Sequence, residues 1–216
     1  MNRLRQFTAT TLLPLSGATS AAPAPHWVAS WQASPQPVWD ADFLFPTLVP
    51  ETLQDQTFRQ TARISLGGTR LRIRLSNAYG TQPLRIGGAS VASQPGATPQ
   101  PLSFDGQPGA LIGPGQERLS DPLALVTDNR QALQVSVFVP GPTAVRTFHW
   151  DGRQTSWIAP GDQSRARDLS DATATTARLF LTGIDVEAPA SARSVVVIGD
   201  SITDGATASL DQDQRW

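Results

Sequence analysis

Gly199, Asp200, Ser201, Ile202, Thr203 and Asp204, closed by Gly205 and led in by Val195, Val196, Val197 and Ile198, are the residues of this chain whose types and spacing could do chemistry. A short β-branched run entering Gly-Asp-Ser predicts a buried parallel strand, a tight turn and a helix start. A serine on such a turn lies at the carboxyl end of a sheet, where open α/β folds place their ligands. Its hydroxyl can attack an ester carbonyl while backbone N–H groups of the turn stabilise the oxyanion, which is acyl transfer. The bland alternative is that Ser201 only caps a helix.

Other candidates carry less. His149, in Thr147-Phe148-His149-Trp150, is the one conceivable local base. It reads as a strand residue with a structural role, because a base must reach the hydroxyl by geometry. Asp200, Asp204 and Asp211 fall near calcium-loop spacing, but Ile202 would occupy a ligand position and the lead-in is a strand, so no metal site is expected. Trp27 and Trp31, four apart, read as core packing before a sugar-stacking platform. Arg63, Arg70, Arg72 and Arg74 read as a solvated strand face before a cradle for an anionic glycan.

The elements that must position these residues follow from pattern. The 216-residue chain has 17 basic and 18 acidic residues, a formal charge of −1, which gives no reason to expect nucleic acid as partner. Every basic residue but the histidines is arginine, and there is no cysteine, so disulfides and thiolate metal sites are excluded. Arg3 and Arg5, an apolar stretch over 7–15 and a small-residue exit over 17–24 predict an export signal over 1–24. No run approaches the ~18 apolar residues of a membrane-spanning helix.

From 26 to about 186 the hydropathy alternates with period two. Phe58, Ala62, Ile64 and Leu66 alternate with Arg59, Arg63 and Ser65. Leu71, Ile73 and Leu75 alternate with Arg70, Arg72 and Arg74. Gly67-Gly68 between the two runs predicts a hairpin, with Ile64 facing Leu71 and Arg63 opposite Arg72. Asp151-Gly152 predicts a second hairpin, between 145–150 and 153–158. Further strands are expected at 84–91, 133–139 and 177–186, the last with a bulge at Gly183. The Pro/Gly-rich stretch 94–115 reads as loop with one short strand. Many short strands at this spacing imply an antiparallel sandwich.

The segment Gly199-Asp200-Ser201-Ile202-Thr203 resembles the nucleophile block of the SGNH/GDSL serine ester hydrolases. Trp27-Val28-Ala29-Ser30-Trp31-Gln32-Ala33-Ser34-Pro35, Arg72-Ile73-Arg74-Leu75-Ser76-Asn77 and the run 155–161 look like members that carry an N-terminal β-sandwich. The resemblance implies a mainly β chain: a sandwich over 25–187, a linker over 188–193, and over 194–216 the first strand and helix start of a truncated flavodoxin-like α/β hydrolase domain. It implies Ser201 as nucleophile and oxyanion donor, with Gly199, Asp200, Thr203 and Gly205 shaping the turn, and no cofactor or metal. The substrate would be a small ester or an acylated carbohydrate.

The family's Gly-x-Asn-Asp and Asp-x-x-His blocks are not found. Asn2, Asn77 and Asn129 stand in no such segment, and His26 and His149 follow Pro23 and Arg146 at three positions. The chain alone is therefore expected to be inactive. The rival reading from another class is a carbohydrate-binding sandwich with a vestigial hydrolase start.

Overall fold

The computed structural model describes residues 24, 26–40 and 42–214, and the expected export signal lies outside them except for Ala24. Among the described residues every regular element is a strand, and the paired strands are antiparallel. No helix among them is long and apolar enough to cross a membrane.

One sheet has the order β1 (His26–Gln32), β17 (Leu181–Ala188), β5 (Leu71–Ser76) and β10 (Glu117–Leu119). The other runs β15 (Thr173–Thr175), β14 (Ser156–Pro160), β4 (Gln56–Arg63), β11 (Ala132–Val139), β7 (Gly88–Ala92) and β8 (Gln100–Pro101). Small ladders complete the fold: β16 (Arg178–Leu179), β13 (Thr147–His149) and β2 (Gln36–Pro37); β12 (Thr143–Ala144) with β3 (Thr52–Leu53); β6 (Leu84–Ile86) with β9 (Ala110–Ile112).

The period-two pattern explains why these segments are strands. Leu71, Ile73 and Leu75 point inward from β5, with Ile184 and Val186 beside them on β17. Phe58 and Ala62 of β4, and Leu133, Val135 and Val137 of β11, join the same buried cluster from the other sheet. The two sheets therefore share one apolar core, as in a β-sandwich. At roughly 25 cal/mol per Å² of apolar surface removed from water, this shared core is the main force holding the sheets together.

The structure corrects the predicted pairings. β4 and β5 are not a hairpin; they lie in different sheets, and 64–70 crosses between them. On the way Ile64 N–H donates to Gln131 O, Leu66 N–H to Ser30 Oγ, and Gly67 N–H to Asn129 Oδ1. Gly67 and Gly68 are needed for closeness rather than for a primed turn. A Cβ on Gly67 would sit 2.1 Å from Thr127 O, and one on Gly68 2.4 Å from Glu187 O. Arg63 consequently does not face Arg72; Arg72 lies opposite Asp185. Asp151-Gly152 likewise joins β13 in one ladder to β14 in another sheet. Alternation reports which face a residue occupies, not which strand lies alongside, and both errors share that cause.

Other strands came close to expectation. The 133–139 strand is β11, while the expected 177–186 strand breaks at Phe180 into β16 and β17, which lie in different sheets; the register shift between Leu181 and Gly183 is the expected bulge. The 84–91 strand divides at Gly87 into β6, which pairs with β9, and β7, which pairs with β11; residue 87 is glycine where a Cβ would meet the Phe138 ring at 2.7 Å. The 94–115 stretch holds two short strands, β8 and β9. β17 continues through Glu187 and Ala188, so pairing with β1 reaches the first residue of the expected linker.

The tail departs from expectation. Val195, Val196, Val197 and Ile198 form no strand and are 90, 74, 53 and 92% exposed. A β-branched run becomes a buried parallel strand only when neighbours cover its edges and faces, and no strand pairs with it among the described residues. The expected helix start at 201 is instead a succession of turns through Thr207.

Candidate functional site

The motif folds locally as a knot of turns. Asp200 Oδ1 accepts from Ile202 N–H at 3.0 Å, an Asx turn that fixes the backbone on both sides of Ser201. Asp200 O accepts from Asp204 N–H at 2.9 Å, Ser201 O from Ala206 N–H at 2.8 Å, and Ile202 O from Gly205 N–H at 3.1 Å. Gly199 admits the Thr203 side chain, because a Cβ there would lie 2.1 Å from Thr203 Oγ1. Gly205 sits at φ +82°, a conformation that side chains with a Cβ rarely adopt. Ser201 itself is exposed at the tip.

The sandwich meets this turn through the segment joining β13 to β14. His149, at the end of β13, is only 8% exposed. Its Nδ1–H donates to Ser34 O at 2.8 Å, and Nε2 lies 3.0 Å from Asp204 Oδ2. Both ring nitrogens face oxygen atoms, one from the segment after β1 and one from the tail. His149 thus has the strand position expected of it, and it reaches the motif through Asp204, three residues past Ser201.

Asp211 makes the densest contact. Its Oδ1 accepts from Thr155 N–H at 2.6 Å and Gln154 Nε2–H at 2.8 Å, and its Oδ2 accepts from Thr155 Oγ1–H at 2.6 Å. Its N–H donates to Arg153 O at 3.1 Å, while Arg153 Nε–H donates to Ala208 O at 2.6 Å. Farther on, Asp213 Oδ2 lies 2.6 Å from Arg63 Nε. The sequence suggests Asp204 only as part of the motif or a calcium ligand, Asp211 only as a calcium ligand, and Arg153, Gln154 and Thr155 only as strand residues, not as site residues. The available signal was a tail rich in aspartate and a connector rich in donors. Among the described residues no three His, Cys, Asp or Glu side chains converge to hold a metal.

The remaining candidates are occupied structurally. Arg70 pairs with Glu187, Arg72 with Asp185, and Arg74 with Glu117 and Asp185. The hydrogen bonds from Arg70 hold the Glu187 carboxyl below the usual carboxylate range, and Glu187 in turn raises the Arg70 guanidinium. The face expected to be solvated is therefore a ladder of ion pairs, with no uncommitted arginine row for an anionic glycan. Trp27 lies on the outer side of β1, not in the core, with the Arg72 guanidinium 4.5 Å and that of Arg70 5.7 Å from its ring centre. Trp31 packs against the core and under Arg178, at 4.9 Å. A bulge between Ala29 and Trp31 separates the two rings.

Two surface pockets, of about 380 and 280 Å³, open beside Ile86 and Leu111 and beside Asn77 and Arg146, and neither includes a residue of the tail. No protein-family model matches this chain, and no curated protein matches it.

Proposed function

We propose that this chain carries the nucleophile of an exported serine ester hydrolase of the SGNH/GDSL type, with Ser201 attacking the acyl carbon of a small ester or an acylated carbohydrate. The observation that carries the reading is the Gly199–Gly205 motif itself, following an apolar β-branched run and folded so that Ser201 stands exposed on a turn. In the reaction a base takes the Ser201 hydroxyl proton as Oγ bonds to the carbonyl carbon. The carbonyl π electrons move onto oxygen, where backbone N–H groups of the turn stabilise the charge. Collapse expels the alcohol, which receives the proton, and water then hydrolyses the acyl-enzyme by the same steps.

The Asp-x-x-His segment that supplies base and acid in the resembling family is not among these residues, and losing triad members costs ~10⁴-fold or more in serine hydrolases. The 216-residue chain alone is accordingly expected to be inactive. In this reading residues 194–216 open the hydrolase domain, and 189–193 join it to the end of β17, which includes Ala188. The covering of Trp27 by two guanidinium groups weighs against the rival reading of a sugar-stacking module.

The test compares hydrolysis of a small activated acetyl ester by this chain, by a chain extended with a complete family domain, and by the extended chain carrying Ser201→Ala. Activity is expected in the second protein only. An active extended Ser201→Ala protein overturns the nucleophile assignment. Turnover by the short chain that disappears with Ser201→Ala overturns its dependence on the further blocks. Export is read from intact mass: secreted protein is expected to begin between residues 22 and 25, and retained Met1 on exported material refutes the leader.

A further inference from the structure

We infer that the connector of residues 149–155 is a built seat for the Ser201 turn, and that Asp211 and His149 are positioning residues acting on Ser201 through it. The inference rests on the reading of Ser201 as nucleophile and adds a role for the sandwich in that site.

Three features carry it. First, the contacts bracket the tail instead of touching it once. His149 holds Asp204, Arg153 holds the Ala208 carbonyl, and Gln154 and Thr155 hold Asp211. Second, they transmit to Ser201 through short bonded steps. Asp204 N–H is bound to Asp200 O, and Ser201 O to Ala206 N–H, so a fixed Asp204 fixes the backbone on both sides of the serine. Third, the bonds converge on one side chain. The Asp211 carboxylate accepts three hydrogen bonds from two residues, and truncating it leaves Thr155 N–H, Thr155 Oγ1–H and Gln154 Nε2–H without that acceptor. Asp211 also holds φ +59°, a left-handed conformation that its side chain's bonds to the connector stabilise.

On the sandwich side the seat is equally fixed. His149 is anchored behind by Ser34 O and flanked across the ladder by Arg178, while Arg153 is paired with Asp151. The sandwich therefore offers preformed donors at defined spacing, and the tail supplies matching acceptors. Hydrogen bonds to a charged acceptor are the stronger kind, and three of them converge on the one carboxylate of Asp211.

The chain contains no cysteine, so Ser201→Cys gives a unique attachment point for a nitroxide spin label in the 216-residue protein. Label mobility at 201 is read by electron paramagnetic resonance, and amide exchange of Asp204, Ala206 and Asp211 by NMR in the unlabelled chain. Asp211→Ala, which removes the acceptors outright, is expected to free the label and to speed exchange of the three amides at least tenfold, with amides of β4, β5 and β11 unchanged. Thr155→Val is expected to do the same more weakly, and Asp211→Glu, which keeps the carboxylate, to restore much of the order. His149→Gln, checked by circular dichroism for an intact sandwich, is expected to free Asp204 before Asp211. An immobile label and unchanged exchange in Asp211→Ala overturn the inference, as does an Asp211→Glu protein as mobile as Asp211→Ala. Neither readout needs esterase turnover, so a failed activity test leaves this result separately readable.

Discussion

The Arg59 guanidinium lies on the outer face of β4, where Nε–H donates to Ser136 Oγ at 2.7 Å, Nη1–H to Arg167 O at 2.9 Å, and Nη2–H to Ala166 O at 2.5 Å. Burial pushes its affinity for a proton below the usual arginine value, and nearby Asp168 partly offsets that. One buried cation thereby ties the loop after β14 to the sheet. Removing it leaves the part-buried carbonyl oxygens of Ala166 and Arg167 without these donors. Arg59→Met is expected to lower unfolding free energy by about 2–4 kcal/mol in urea denaturation, and a loss below about 0.5 kcal/mol would show that the loop is held otherwise. The same logic of committed charge applies to Arg70, Arg72 and Arg74. In the sequence they look like an exposed basic row, and each is matched by a carboxylate from a strand distant in the chain.

At the scale of elements, the decisive segments are the crossings between sheets. Residues 64–70 run from β4 in one sheet to β5 in the other at van der Waals distance from the backbone of Thr127 and Glu187. Gly67→Ala would drive a methyl group to 2.1 Å from a carbonyl oxygen that is itself part of the backbone. It is expected to cost about 2 kcal/mol or more, read as a lower denaturation midpoint with the same urea dependence. An unchanged midpoint would mean that the crossing yields freely. The Val195–Ile198 run illustrates the converse. Its composition is that of a buried strand, yet without partners it lies open, because β structure requires ladder bonds from a second strand.

For the whole molecule, a core shared by two sheets and closed by β1 against β17 is self-contained. A chain ending at residue 190 is expected to give a β-type circular dichroism spectrum and one cooperative thermal transition, and a spectrum of unfolded chain would show that the sandwich depends on the residues after 190. The exposed Val195, Val196, Val197 and Ile198 are absent from that shorter chain, so it should also self-associate less than the 216-residue protein.

Much of this was legible in the residues, and the limits have one cause. Period-two alternation marks the strands and their buried faces, since each side chain's face depends only on its own position along the strand. Phe58, Ala62, Ile64, Leu71, Ile73 and Leu75 are all interior, as the pattern requires. The turn over 199–205 was legible too, because an Asx turn and a positive-φ glycine are properties of a few consecutive residues. Partners were not. That Arg72 meets Asp185, that β4 avoids β5, and that Asp211 meets Thr155 are contacts across 113, 8 and 56 positions of chain, counting β4 to β5 from Arg63 to Leu71. Even the shortest of these is invisible to local pattern, because Gly-Gly permits a hairpin and a crossing alike. The choice between them is made by which packing buries both apolar faces at once, and that is a property of the assembled sandwich.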